Sequence, residues 1–236
     1  MAGIYTLVFM LMQFVSITSE MPVSNAPDHI TAGFEASCVQ DLYKKINDPA
    51  LNPEALAQAL KGYNLLRFKN LTANNSILTI IDYSKSSDAR RFFVIDISKG
   101  SILFKSLVAH GKNSGTNYAD SFSNKKYSYK SSIGFFLTGD TYYGKHGLSL
   151  HLTGLEKDIN DNAMERAIVI HSASYVNEEF IKIHGRLGRS YGCPALPQEN
   201  YEDIINTIRD KSCLFIYYPD KDYLLKSKII NPPYNI

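Results

Sequence analysis

The chain has no tryptophan, only three cysteines and no marked excess of either charge. A net charge of +2 with 20% charged residues provides no basic stripe for phosphates, so no nucleic-acid partner is expected. Three is an odd number, so any pairing leaves one thiol free. Pairing Cys38 with Cys213 would spare Cys193, and an unpaired Cys213 buried in its apolar run is the equal alternative. The spacing of His171, His184 and Cys193 matches neither the close histidine pair nor the paired cysteines of zinc motifs. Neither a metal nor an organic cofactor is expected.

Long apolar runs are scarce too. The only one, Ile4–Val15, is shorter than the roughly 20 residues that a membrane helix needs. Followed by Ser16, Thr18 and Ser19, it reads as a signal peptide over residues 1–19, although no Lys or Arg precedes it. A retained N-terminal anchor is the competing reading. The expectation is an exported protein of the periplasm or cell envelope, with no stable membrane insertion once the leader is cleaved. It is expected to be a monomer.

What is abundant is tyrosine, sixteen residues of it, which suits half-buried strand positions. Met21–Gly33 reads as a linker rich in Pro, Ser and Asn. Phe34–Ile46 has helical periodicity, and Asn52-Pro53 caps a second helix running to about Tyr63. Residues 20–70 therefore form a linker and helical N-terminal region, and residues 71–236 the main domain. There, Ile77–Tyr83, Arg91–Ile97 and Ile102–Ala109 read as a meander, followed by strands at Ile133–Thr138, Leu148–Leu152, Arg166–His171 and Cys213–Tyr218. Gln198–Arg209 is an amphipathic helix. Between these elements Gly111–Lys130 is long and polar, the profile of a lid or binding loop. Many strands and few helices give a mainly β (α+β) fold.

The densest chemistry lies in Ile183–Pro197, IHGRLGRSYGCPALP. Pro194 lacks an N–H and biases Cys193 away from helix, while Gly192 permits a sharp turn. The thiol is thus presented on a turn whose backbone N–H groups can face the atom it attacks, as a nucleophile beside an oxyanion site requires. It needs a base. His171, ending a buried strand, is the first choice, oriented through its other nitrogen by the Ser172 hydroxyl or a nearby carbonyl. His184 is mobile or substrate-facing. His110 and His146 sit in glycine-flanked turns, where loop polarity explains them as well as function does. Arg186 and Arg189 are forks suited to a substrate carboxylate, or solvated surface residues.

Ser190-Tyr191-Gly192-Cys193, with His171-Ser172 upstream, resembles the signature of the L,D-transpeptidase (YkuD-type) catalytic domain. Ser131-Ser132-Ile133-Gly134-Phe135-Phe136 resembles another strand of that family. The segments IIDYSKSSDARRFFVIDI, VAHGKNSG, SSIGFFLTGDTYYGKHGLSLHLTGLE, RAIVIHSASYV and GRLGRSYGCPALP resemble its divergent murein L,D-transpeptidase branch. The likeness spans about Ile77–Tyr218. It departs from the family at Tyr191, where a histidine is usual, and at Ala195, where a polar residue is usual.

The resemblance implies a β-sandwich-like catalytic domain acting on peptidoglycan stem peptides. It implies Cys193 as nucleophile and His171 as base, with backbone N–H groups of Tyr191, Gly192 and Cys193 as oxyanion donors. Ser172, His184, Arg186, Arg189 and Ser190 would position substrate, and Tyr142, Tyr143 and His146 would line the opposite wall. The thioester would pass to an amine, giving a transpeptidase, or to water, giving an L,D-carboxypeptidase. A peptidoglycan-binding module without turnover and a zinc-dependent peptidase are the other classes to separate.

Overall fold

The structure, a computed structural model, describes residues 28–232, with the backbone alone over residues 28–36. The expected signal peptide lies outside these residues. Two helices come first, α1 (Asp28–Ile46) and α2 (Pro53–Phe68). Helix α1 starts six residues before the expected Phe34. Pro27 is the last residue there that resists a helix, and Gly33 is tolerated inside one at a cost of about 1 kcal/mol. Asn52 caps α2 as expected, its side chain accepting from the N–H groups of Glu54 and Ala55, with Pro53 at the first helical position. The helix continues through Leu65 and Leu66 because Leu66 is buried in the core.

Eight strands follow: β1 (Ile77–Asp82), β2 (Phe92–Asp96), β3 (Ser101–Ser106), β4 (Gly134–Gly144), β5 (Gly147–Gly154), β6 (Val169–Ser172), β7 (Ala195–Leu196) and β8 (Cys213–Tyr217). They are interspersed with α3 (Glu178–His184) and α4 (Tyr201–Ile208), and α5 (Lys221–Lys226) follows them. The strands form one sheet in the order β3-β2-β1-β8-β4-β5-β6-β7. The expected meander is present as antiparallel β1-β2-β3, but β8 inserts parallel to β1 and antiparallel to β4. The expected sandwich takes the form of a single sheet that nearly closes. Just past β3, Ala109 exchanges two backbone hydrogen bonds with Ala195 of β7, at 2.9 and 3.3 Å. The sheet's two ends therefore meet beside the cysteine turn.

Every residue of β1, β2 and β8 is buried. That is the pattern of strands covered on both faces, and it explains why their sequences are continuous apolar runs. Helix α2 packs against β1 and β8, and α4 packs against β1, β5 and β6. The approach of α2 is close. A Cβ at Gly62 would stand 2.1 Å from the Phe135 ring, which itself stacks on Phe215 at 4.3 Å. Helix α2 thus shares one core with the sheet.

Glu156 pins the start of β4. Its carboxylate accepts from the Phe135 N–H (2.7 Å), the Tyr223 hydroxyl (3.0 Å) and the Ser227 hydroxyl. Burial raises its pKa, and these donors oppose the rise. Glu156→Leu leaves them without an acceptor and is expected to cost about 3 kcal/mol of stability. Urea denaturation checks this, and a loss below about 0.5 kcal/mol would contradict it.

Candidate active site

The turn bearing Cys193 is braced from within and from outside. The Ser190 hydroxyl donates to the Cys193 carbonyl at 2.6 Å and accepts from the Gly192 N–H at 3.0 Å. The Ser131 hydroxyl donates to the Gly192 carbonyl at 3.1 Å and accepts from the Gly111 N–H at 3.0 Å. Ser190 is also bonded through its backbone to His110 (2.9 Å) and Lys112 (2.8 Å). Gly192 has φ +129°, and a Cβ there would come within 2.9 Å of the Lys130 carbonyl. Only glycine suits this position.

Cys193 is partly exposed, and its thiol donates to the Ala167 carbonyl at 3.6 Å. Burial pushes the thiol above its ordinary value of 9.0, while the Val169 backbone and the Arg166 and Lys145 charges pull the other way. The resting sulfur is therefore a protonated thiol.

His171 lies on the neighbouring strand. It faces Ala195 across the parallel β6-β7 pair, and Cys193 is two residues before Ala195, a strand rise of about 7 Å. His171 Nδ1 is 2.9 Å from the Ser172 carbonyl. A carbonyl only accepts, so this contact assigns the proton to Nδ1 and leaves Nε2 as the basic nitrogen. The ring is buried and stacks on His146 at 4.5 Å. Burial, followed by the His146 and Lys145 charges, lowers its pKa below 6.5. The thiol is hydrogen-bonded to Ala167 and not to this imidazole.

A cleft of about 260 Å³ is lined by Tyr127, Tyr129, Glu165, Arg166, Ala167 and Tyr191 among others, and it reaches the thiol through Ala167, whose carbonyl accepts from it. Tyr127 and Tyr129 come from the long segment after Gly111, which contains no helix and only an isolated bridge to Ser190. Arg166 ties that segment down by donating to the carbonyls of Ser123 (2.6 Å) and Lys130 (2.5 Å).

The family model for the L,D-transpeptidase catalytic domain matches residues 47–217. The chain belongs to that family. Among solved structures, it is similar to an L,D-transpeptidase from Mycobacterium smegmatis, with 15% identity and a TM-score of 0.38. That match covers 61% of this chain and 59% of the other. An L,D-transpeptidase from Stackebrandtia nassauensis gives 12% identity, 78% and 77% coverage and a TM-score of 0.36. L,D-transpeptidase 3 from Mycobacterium tuberculosis, in complex with a faropenem-derived adduct, gives 13%, 61%, 60% and 0.37. The chain spans about three fifths of the length of the first and third of these structures. No curated protein matches it.

In this L,D-transpeptidase domain the expected site residues are only partly gathered. Ser190, Tyr191, Gly192, Cys193, His171 and Ser172 meet at the β6-β7 end of the sheet. His146 joins them from the tip of the β4-β5 hairpin, its carbonyl accepting from the Ser172 hydroxyl at 3.2 Å. The Gly192 N–H is turned into the loop by Ser190, so it does not face the cleft as an oxyanion donor would. Arg186 donates to the Leu187 carbonyl at 2.7 Å, and Arg189 to the carbonyls of Lys112 and Gly115 at 3.1 and 3.0 Å. Each therefore engages the backbone through one guanidinium nitrogen. His184 ends α3, exposed, with its ring on Phe180. Tyr142 stacks on His151 at 4.6 Å, and Tyr143 is 77% exposed on the hairpin. All three cysteines are free, with Cys213 buried and Cys38 exposed. Among the described residues, no three His, Cys, Asp or Glu side chains converge as metal ligands.

Two further arginines support this region and carry no mark in the sequence. Arg166 reads there only as the start of an apolar strand. Arg91 is fully buried, donating to the Val108 carbonyl and, at 2.8 Å, approaching His110 Nδ1. The arginine can only donate, so His110 Nδ1 accepts and Nε2 carries the proton. Burial, then the Arg91 charge, pushes the His110 pKa down to about 3.

This has a consequence for stability. The unfolded chain protonates His110 below about 6.5 whereas the folded protein does not until about 3, so stability falls as pH drops through that window. His171, shifted in the same direction, adds to the slope. Urea unfolding between pH 6.5 and about 5 should show a decline that His110→Gln flattens. A pH-independent midpoint would contradict the assignment.

Proposed function

We propose that this domain acylates itself on a peptidoglycan stem peptide and passes the acyl group to an amine. The geometry supporting this is a histidine with Nδ1 fixed on Ser172, one strand away from a thiol that donates to Ala167, a residue of the cleft wall. Family membership, in a family that acts on peptidoglycan, supplies the substrate class. Cys193 Sγ bonds to the carbonyl carbon joining the third stem residue to the terminal D-Ala. His171 Nε2 takes the thiol proton as the bond forms, because the resting thiol is protonated.

The tetrahedral oxyanion is received by the N–H groups of Tyr191 and Cys193, to which no protein acceptor is bonded among the described residues. Collapse breaks the C–N bond, His171 returns the proton to the D-Ala amine, and a thioester remains. An incoming stem amine then attacks the thioester, His171 takes its proton, and Cys193 leaves to be reprotonated. Water in place of the amine gives the hydrolase. The reading also places the protein on the outer side of the membrane, in keeping with the apolar leader.

Incubating the full chain with a disaccharide-tetrapeptide and resolving products by mass spectrometry tests this. Dimers with loss of D-Ala are expected. Tripeptide alone would assign the carboxypeptidase reaction, and unchanged substrate would favour a binding module.

A further inference from the structure

Lys112 and two tyrosines form an arrangement that this mechanism leaves unused. The Lys112 ammonium lies 4.3 Å from the Tyr129 ring centroid and 4.5 Å from that of Tyr191, and the two rings are 5.0 Å apart. The backbone enforces the grouping. The Lys112 N–H donates to the Ser190 carbonyl at 2.8 Å, and the Asn113 N–H to the Tyr129 carbonyl at 3.1 Å. Tyr127 and Tyr129 both have positive φ, 60° and 54°, which is costly for aromatic residues and characteristic of functional loops. Both rings flanking Lys112 also line the cleft beside Cys193. Tyr191 is 68% exposed although its neighbour Gly192 is buried.

Lys112 is thus an exposed cation held in place without a counter-ion. Among the described residues, no carboxylate lies within ion-pair distance of it. The charges lining the cleft itself are Lys126 and Glu165, paired at 3.3 Å, and Arg166, whose hydrogen bonds go to the loop. A lysine normally loses much side-chain entropy when it binds an anion, and two aromatic faces have already fixed this one.

Resting on the proposed function, we propose that Lys112, clamped by Tyr129 and Tyr191, receives the terminal carboxylate of the stem peptide whose D-residue is released. That carboxylate is one residue beyond the scissile carbonyl, and Tyr191 is two residues from the attacking cysteine. This assigns to a lysine set on aromatic rings the carboxylate contact expected of Arg186 and Arg189.

The test compares kcat/KM for a tetrapeptide with a free C-terminus and for its C-terminal carboxamide, using the full chain. The wild type is expected to favour the acid by about tenfold, the worth of one charge-assisted contact. Lys112→Gln should bring the ratio close to one, and Lys112→Arg should retain most of the preference. Tyr129→Leu should lower the ratio part of the way by releasing the lysine. About 0.5 M NaCl should shrink the wild-type preference, because the contact is exposed. Equal turnover of acid and carboxamide by the wild type, or an undiminished ratio in Lys112→Gln, would overturn the inference and leave the proposed function standing. Turnover of neither peptide would overturn both.

Discussion

Cys193→Ala lowers stem-peptide turnover by about 10⁴-fold or more, since the other two free thiols lie away from this turn, Cys38 on α1 and Cys213 buried in β8. Cys193→Ser should be nearly as inactive. A serine hydroxyl is far less acidic than a thiol, and the site offers it only a histidine whose basicity burial lowers. Stopped-time assays of D-Ala release check both variants. Neither substitution disturbs the brace of the turn, which runs through the Cys193 carbonyl, Ser190 and Ser131 rather than through sulfur. Melting temperatures close to wild type are therefore expected, and a variant that keeps even a tenth of wild-type turnover would remove Cys193 from the reaction.

His171→Gln is expected to lower kcat/KM by about 10²–10⁴-fold, the usual worth of a positioned base. Its pH profile carries more information than its magnitude. The base acts when neutral, so activity is lost as pH falls through the His171 pKa. Burial places that limb below 6.5. The wild-type profile should therefore be flat from about pH 6.5 upward to the region of the thiol pKa, which lies above 9.0. Without the imidazole only the pre-formed thiolate reacts. The residual rate of His171→Gln should then rise about tenfold per pH unit until it passes 9.0. A wild-type acid limb well above 6.5, or a variant with an unchanged profile, would assign the base elsewhere.

The elements most easily read from the sequence are those that carry their own burial signal. Strands β1, β2 and β8 are covered on both faces, so they appear as uninterrupted apolar runs, and Asn52-Pro53 announces a helix by capping chemistry. Strand β7 has only two residues, too few for any period to show. Helix α3 has no buried residue, and its seven residues are too few for a helical period to show. The insertion of β8 between β1 and β4 is a matter of pairing, which composition and spacing do not encode.

The same division holds at the site. The Gly-Cys-Pro turn and the strand-end histidine are local signals, and they meet across β6 and β7. The engagement of the Gly192 N–H by Ser190 is also local, but it depends on which rotamer the serine takes. Arg189 reaches carbonyls more than seventy positions away, and Arg166 braces a loop about forty residues upstream. Such long-range bonds turn residues that look like substrate ligands into scaffold. Lys112 shows the converse, since in sequence it is one more lysine of a polar loop, and only the two tyrosine rings give it a fixed position.

The proposed reaction turns on acylation of Cys193 with the help of His171. Intact mass of the full chain after incubation with a carbapenem, and in parallel with tetrapeptide, tests this step. One covalent adduct per chain is expected on the wild type, none on Cys193→Ala, and slowed formation on His171→Gln. An adduct that persists on Cys193→Ala, or a wild type acylated by neither compound, would contradict this reaction.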